Sequence, residues 1–101
     1  MLELFDGDQA AIGALLAAAI AAIRRDAELL EVLVAANDRP AIVETTHRLK
    51  GTGGTIGAQR LVRASSNLED ARPAAASQLF AVVRAEVTKL TADIDAFRAE
   101  K

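Results

Sequence analysis

Phe80, Val83, Val87, Leu90, Ile94 and Phe97 follow one another at 3-4-3-4-3 spacing near the end of the chain. Apolar side chains at that interval share one face of an α-helix. The opposite face is polar, with Arg84, Lys89, Asp93 and Glu100. A stripe of this kind is the seam of a helix bundle and needs other helices to cover it. The 101 residues suffice for one domain, 1–101, with a single continuous core.

The covering helices are legible upstream. Ile12, Leu15, Leu16, Ala19, Ile20 and Ile23 recur at helical spacing, after Asp6 or Asp8 as a cap. Arg24-Arg25-Asp26 interrupts the pattern, as a bend or as an exposed turn of a longer helix. Leu29, Leu30, Leu33 and Val34 then resume the stripe as far as Ala36, where Asn37-Asp38 ends it. Asp38 and Pro40 mark the next start, an acidic cap with proline in the first turn. A third long helix is expected over Ala58 to Arg72, with Leu61, Ala64, Ser65 and Leu68 turned inward. It stops before Pro73, because a residue preceding proline disfavours helical geometry. The last helix then starts at Ala74. Short connections at Asn37–Pro40 and near Pro73 favour antiparallel neighbours. The expected fold is all-α, an antiparallel four-helix bundle with an additional N-terminal helical segment.

Composition removes several functions. There is no cysteine, so disulfides, thiolate chemistry and cysteine-bound metal are excluded. A formal charge of −2 and only three aromatic residues, all Phe, argue against nucleic-acid binding. Ala10 to Ile23 carries no charge, yet Glu3, Asp6 and Asp8 precede it and Arg24 and Arg25 follow, the wrong flanks for an export signal. It is also shorter than the roughly 20 apolar residues of a membrane span. The expectation is a buried helix of a cytoplasmic protein, with no membrane partner.

One stretch, Thr46 to Ala58, reads T-H-R-L-K-G-T-G-G-T-I-G-A and holds the only histidine, His47. At about 100° per residue, Ile42, Leu49 and Ile56 lie within roughly 20° of one line, which must face the core. His47 then lies about 160° away, with Val43, Lys50, Gly51 and Gly54 within roughly 60° of it. Its face therefore bears one cation and two residues without side chains. Each glycine costs a helix about 1 kcal/mol relative to alanine, so a purely structural helix would avoid them. Gly53 falls near the inner line and permits close helix approach, and Gly57 marks the break before the next helix. The alternative for all four glycines is a flexible loop beginning at Gly51.

What can this histidine do? A zinc site needs several ligands, and no second His or any Cys exists. Ser65, Ser66 and Ser77 lack a nucleophile-elbow signature. Gly51 to Gly54 lacks the order of a Walker loop, so no ATP site is evident. Covalent chemistry on the imidazole remains, since the neutral ring is a competent nucleophile. It can attack a phosphoryl group held by a partner, provided the ring is exposed and its surroundings are clear. Gly51 and Gly54 supply the clearing. Lys50, one turn along, can neutralise the incoming oxygens. An exposed charge pair is worth only about 0–1 kcal/mol, which makes Lys50 a helper and not the nucleophile.

The run H-R-L-K-G-T-G-G-T-I-G-A resembles the signature of histidine phosphotransfer (HPt) domains, H-x-L-K-G followed after five residues by G-A. His47, Leu49, Lys50, Gly51, Gly57 and Ala58 match, and the likeness extends in size and helix order over nearly the whole chain. The resemblance implies a four-helix bundle, phosphorylation of His47 on Nε2, and traffic with receiver domains of response regulators or hybrid histidine kinases. It also implies that Glu69, on the following helix, holds the other ring nitrogen and fixes the tautomer. A solvated Glu69 paired with Arg72 is the alternative. Arg48, Arg60 and Arg63 read as ordinary surface charges, with contact to an acidic receiver pocket as the alternative for some of them. Val43 belongs either to an apolar docking patch around the histidine or under a neighbouring helix.

The resulting expectation is an intermediate carrier in a phosphorelay, taking a phosphoryl group from one receiver aspartate onto His47 and passing it to another. No cofactor resides in this chain; the receiver supplies Mg²⁺. The chain begins at Met and stops after one bundle, which suits a free-standing, monomeric carrier. Two rivals are a docking module that accepts no phosphate and the kinase-substrate domain of a chemotaxis-type sensor.

Overall fold

The computed structural model describes residues 9–99. The Asp6 or Asp8 cap and the polar Glu100 lie outside the described residues. Four α-helices run in order: α1 (Gln9–Ala36), α2 (Arg39–Thr55), α3 (Gln59–Glu69) and α4 (Ala76–Ala99). Pro73–Ala75 forms a 3-10 turn before α4. No strand occurs among the described residues.

Helix α1 is continuous for 28 residues. The polar Arg24-Arg25-Asp26 step is a turn of that helix and not a bend, so no separate N-terminal segment stands apart from it among the described residues. Its alanines, the best helix formers, carry it without a break. The end is set by Asn37 in the left-handed region, φ 54°. Asn37 N–H donates to the Val34 carbonyl and Asp38 N–H to that of Leu33. That pair of bonds closes the helix by a Schellman motif, for which Asn is a tolerated residue. Asp38 caps α2 at once, its Oδ1 accepting from Ala41 N–H at 3.3 Å.

The same device ends α2. Gly57 has φ +76°, Gly57 N–H donates to the Gly54 carbonyl, and Ala58 N–H to that of Gly53. Helix α2 thus runs through Gly51, Gly53 and Gly54 before it stops, and the loop alternative is overturned. Helix α3 is shorter than the sequence suggested: it ends at Glu69, and Asp70 and Ala71 close it by donating to Ser66 and Leu68. Arg72 is extended, ψ 152°, as its following proline demands. Breaking the helix early lets Pro73 open the 3-10 turn, so α4 begins at Ala76 and not Ala74.

Each helix packs on its chain neighbours, and α1 also packs on α4, which closes a ring of four. The inside holds Ile12, Ile23, Leu30, Ile42, Leu49, Leu61, Leu68 and Val83, all 2 % exposed or less. Burying each of these side chains contributes roughly 1.5–3 kcal/mol. Phe80, Val83, Val87 and Ile94 of the α4 seam are buried, with Leu90 and Phe97 packed against them. The assembly is elongated, 45 × 20 × 18 Å, and α2 presents one long side to solvent.

Candidate functional site

Along α2 the burial pattern splits the helix lengthwise. Ile42, Thr45, Thr46, Leu49 and Gly53 are buried. Val43, Glu44, His47, Arg48, Gly51 and Gly54 are exposed. His47 therefore projects outward from a helix whose other side is fixed in the core. Val43, 37 % exposed, is an apolar neighbour left uncovered one turn before it.

The glycines differ in the same way. A Cβ built on Gly53 would meet Val62 Cγ2 at 3.3 Å and Leu61 Cδ2 at 3.6 Å, tight contacts against α3. On Gly51 or Gly54 it would meet nothing within 4 Å. Gly53 serves the packing of α2 on α3. Gly51 and Gly54 serve nothing inside the described residues and leave bare backbone beside His47.

Charged contacts brace α2 on both flanks. Toward α1, Arg48 donates to Asp26 Oδ1 at 3.1 Å. Asp26 is buried between the core residues Ile23 and Leu30, so Arg48, exposed as the sequence suggested, is also its structural partner. A carboxylate at an inward position of α1 was the available signal, since such groups are rarely buried unpaired. Toward α3, Lys50 Nζ donates to Glu69 Oε1 at 2.6 Å, with side-chain exposures of 29 % and 19 %. Arg39 in turn donates to the backbone carbonyl of Glu69, one of the orphan acceptors at the end of α3. The expected bond from Glu69 to the His47 ring is not what the structure contains, and neither is the Arg72 pair: the carboxylate has gone to Lys50 instead. Among the described residues the His47 ring has no hydrogen-bond or ion-pair partner.

Between α1 and α2 runs an open groove of about 830 Å³, with Leu15, Ala18, Ala22, Leu29, Arg48 and Gly51 among its walls. It reaches the histidine's face at Gly51 and is mostly apolar. Sequence spacing assigns Leu15 and Leu29 to the helical stripe and gives no sign of the groove, which is walled by both α1 and α2. Among the described residues no cluster of three or more His, Asp or Glu could hold a metal ion. No helix there is long and apolar enough to cross a membrane.

An outward histidine, a lysine one turn on and a cleared backbone coincide with a family match: the model of the Hpt domain covers residues 14–100. The chain belongs to the Hpt domain family. Membership implies histidine phosphotransfer in two-component signalling, and Hpt domains interact with receiver domains in phosphorelays. No curated protein and no solved structure matches the chain. In this Hpt domain the all-helical ring and the exposed face of α2 are the frame on which that chemistry has to operate.

Proposed function

We propose that this Hpt domain is an intermediate carrier, which takes a phosphoryl group from the aspartyl phosphate of one receiver onto His47 and delivers it to an aspartate of another. The observation that carries this reading is the solvent-exposed His47 ring flanked by Lys50 and by two glycines with open space above them. The lone pair of Nε2 attacks phosphorus, the Nε2–P bond forms, and the P–O bond to the aspartate breaks. The electron pair leaves with the carboxylate. Nδ1 keeps its proton through the transfer. Lys50 balances charge on the phosphoryl oxygens, and the receiver brings the Mg²⁺ and the acidic pocket.

Docking falls to the rest of the exposed face. Val43 on one side and the groove by Gly51 on the other offer apolar surface to a receiver, and Gly54 keeps the approach low. The ring of helix contacts and the two-residue link between α1 and α2 support an antiparallel bundle as the rigid platform. The carrier is read as a cytoplasmic monomer that meets its receivers one at a time.

Incubation with phosphorylated receivers and Mg²⁺ tests the reading. Wild type should acquire acid-labile, base-stable phosphate and His47→Gln should acquire none. Equal labelling of that variant overturns it. One observation favours the docking-only rival: Lys50 is already engaged by Glu69. Receiver binding without any transfer would support that rival.

A further inference from the structure

The Lys50 ammonium that would meet an incoming phosphoryl group is already hydrogen-bonded to Glu69 in the resting protein. Its Nζ lies 2.6 Å from Glu69 Oε1, and both side chains are more than two-thirds buried. Glu69 is itself held in place, because Arg39 binds its backbone carbonyl and ties the end of α3 to the start of α2. The His47 ring takes no part in this arrangement. Residues three apart on a helix are neighbours, so a phosphoryl group on His47 would stand within reach of the Lys50 ammonium.

We infer that Glu69 is a positioning residue that restrains Lys50 in the unphosphorylated protein and competes with the phosphoryl group for it. Phosphorylation of His47 draws the N–H···O bond of Lys50 from the carboxylate to a phosphoryl oxygen; no covalent bond changes in that exchange. The charge on Glu69 then sets how much phosphate His47 retains at equilibrium with a receiver. A weak hold suits a carrier, which must release what it accepts. The inference rests on His47 being the acceptor.

The test is a cycle of Glu69→Gln, Lys50→Met and the double variant, read as the equilibrium ratio of phospho-His47 to receiver phosphate. Glutamine keeps the shape of Glu69 without its charge. Glu69→Gln should raise the ratio about fivefold, the size of a partly screened charge pair, and should change nothing when Lys50 is already Met. A lowered or unchanged ratio in the single variant, or the same rise in both backgrounds, overturns the inference. A second readout is independent of transfer: the ¹³C signal of the Glu69 carboxyl should move when wild type is phosphorylated, and stay put in Lys50→Met. A carboxyl signal unmoved by phosphorylation of wild type also overturns it. His47→Gln as a control keeps the two failures apart. Label on that variant defeats the carrier reading, whereas a clean control with an inert Glu69→Gln defeats only the role of Glu69.

Discussion

The inner and outer faces of α2 are made from the same residue types and obey different rules. Both hold a glycine that a helix would rather replace. On the inner face Gly53 touches α3, and a side chain there would collide with Val62. On the outer face Gly51 and Gly54 border open space. Packing accounts for the first and is silent about the other two. A residue that costs helix stability without improving the fold points to something outside the fold, and the proposed carrier role supplies it: a partner closing over His47. The two faces also differ in how charge is used. Lys50 and Arg48 lie on opposite flanks, each bound to a carboxylate of a neighbouring helix, while the histidine between them has no partner among the described residues.

The contrast can be broken by substitution. Leu49→Ala on the inner face should have the largest effect, a loss of about 2–5 kcal/mol in urea unfolding, because Leu49 is fully buried. Next comes a matched pair. Gly51→Leu should leave unfolding unchanged or slightly stabilised, yet slow phosphoryl transfer by about a hundredfold, the scale expected when reacting groups are held out of place. Gly53→Leu should do the reverse in kind, costing about 1–3 kcal/mol by overpacking against Val62 and Leu61. If both variants lose stability alike, the division into faces is wrong. The smallest effect belongs to Gly54→Ala, which should raise stability by up to about 1 kcal/mol in the same unfolding assay. A loss there would mean that Gly54 has a contact within the chain.

Much of this could be read from the sequence where a local rule acts alone. Asp38 with Pro40 gave the start of α2, Asn37 the end of α1, and the 3-4 spacing from Phe80 the seam of α4. Gly57 announced the break after α2, and its positive φ supplies the reason. What stayed hidden depends on contacts between helices. Arg24-Arg25-Asp26 looked like an interruption because a charge inside an apolar stripe is ambiguous until its partner, Arg48, is placed 3.1 Å away. At the end of α3 the Glu69 carbonyl accepts from Arg39, thirty positions upstream. A separation of 19 positions likewise concealed that Glu69 would reach Lys50 and not the imidazole. The groove beside Gly51 exists only once α1 and α2 are side by side.

Because the chain has one histidine, its imidazole nitrogens give one set of ¹⁵N signals, and these test the central claim directly. A sample labelled with ¹⁵N-histidine, mixed with a phosphorylated receiver and Mg²⁺, should show the Nε2 signal of His47 shift as it gains phosphorus coupling. It should return when an unphosphorylated receiver is added. Protein that carries phosphate while both imidazole nitrogens keep their original signals would contradict the account.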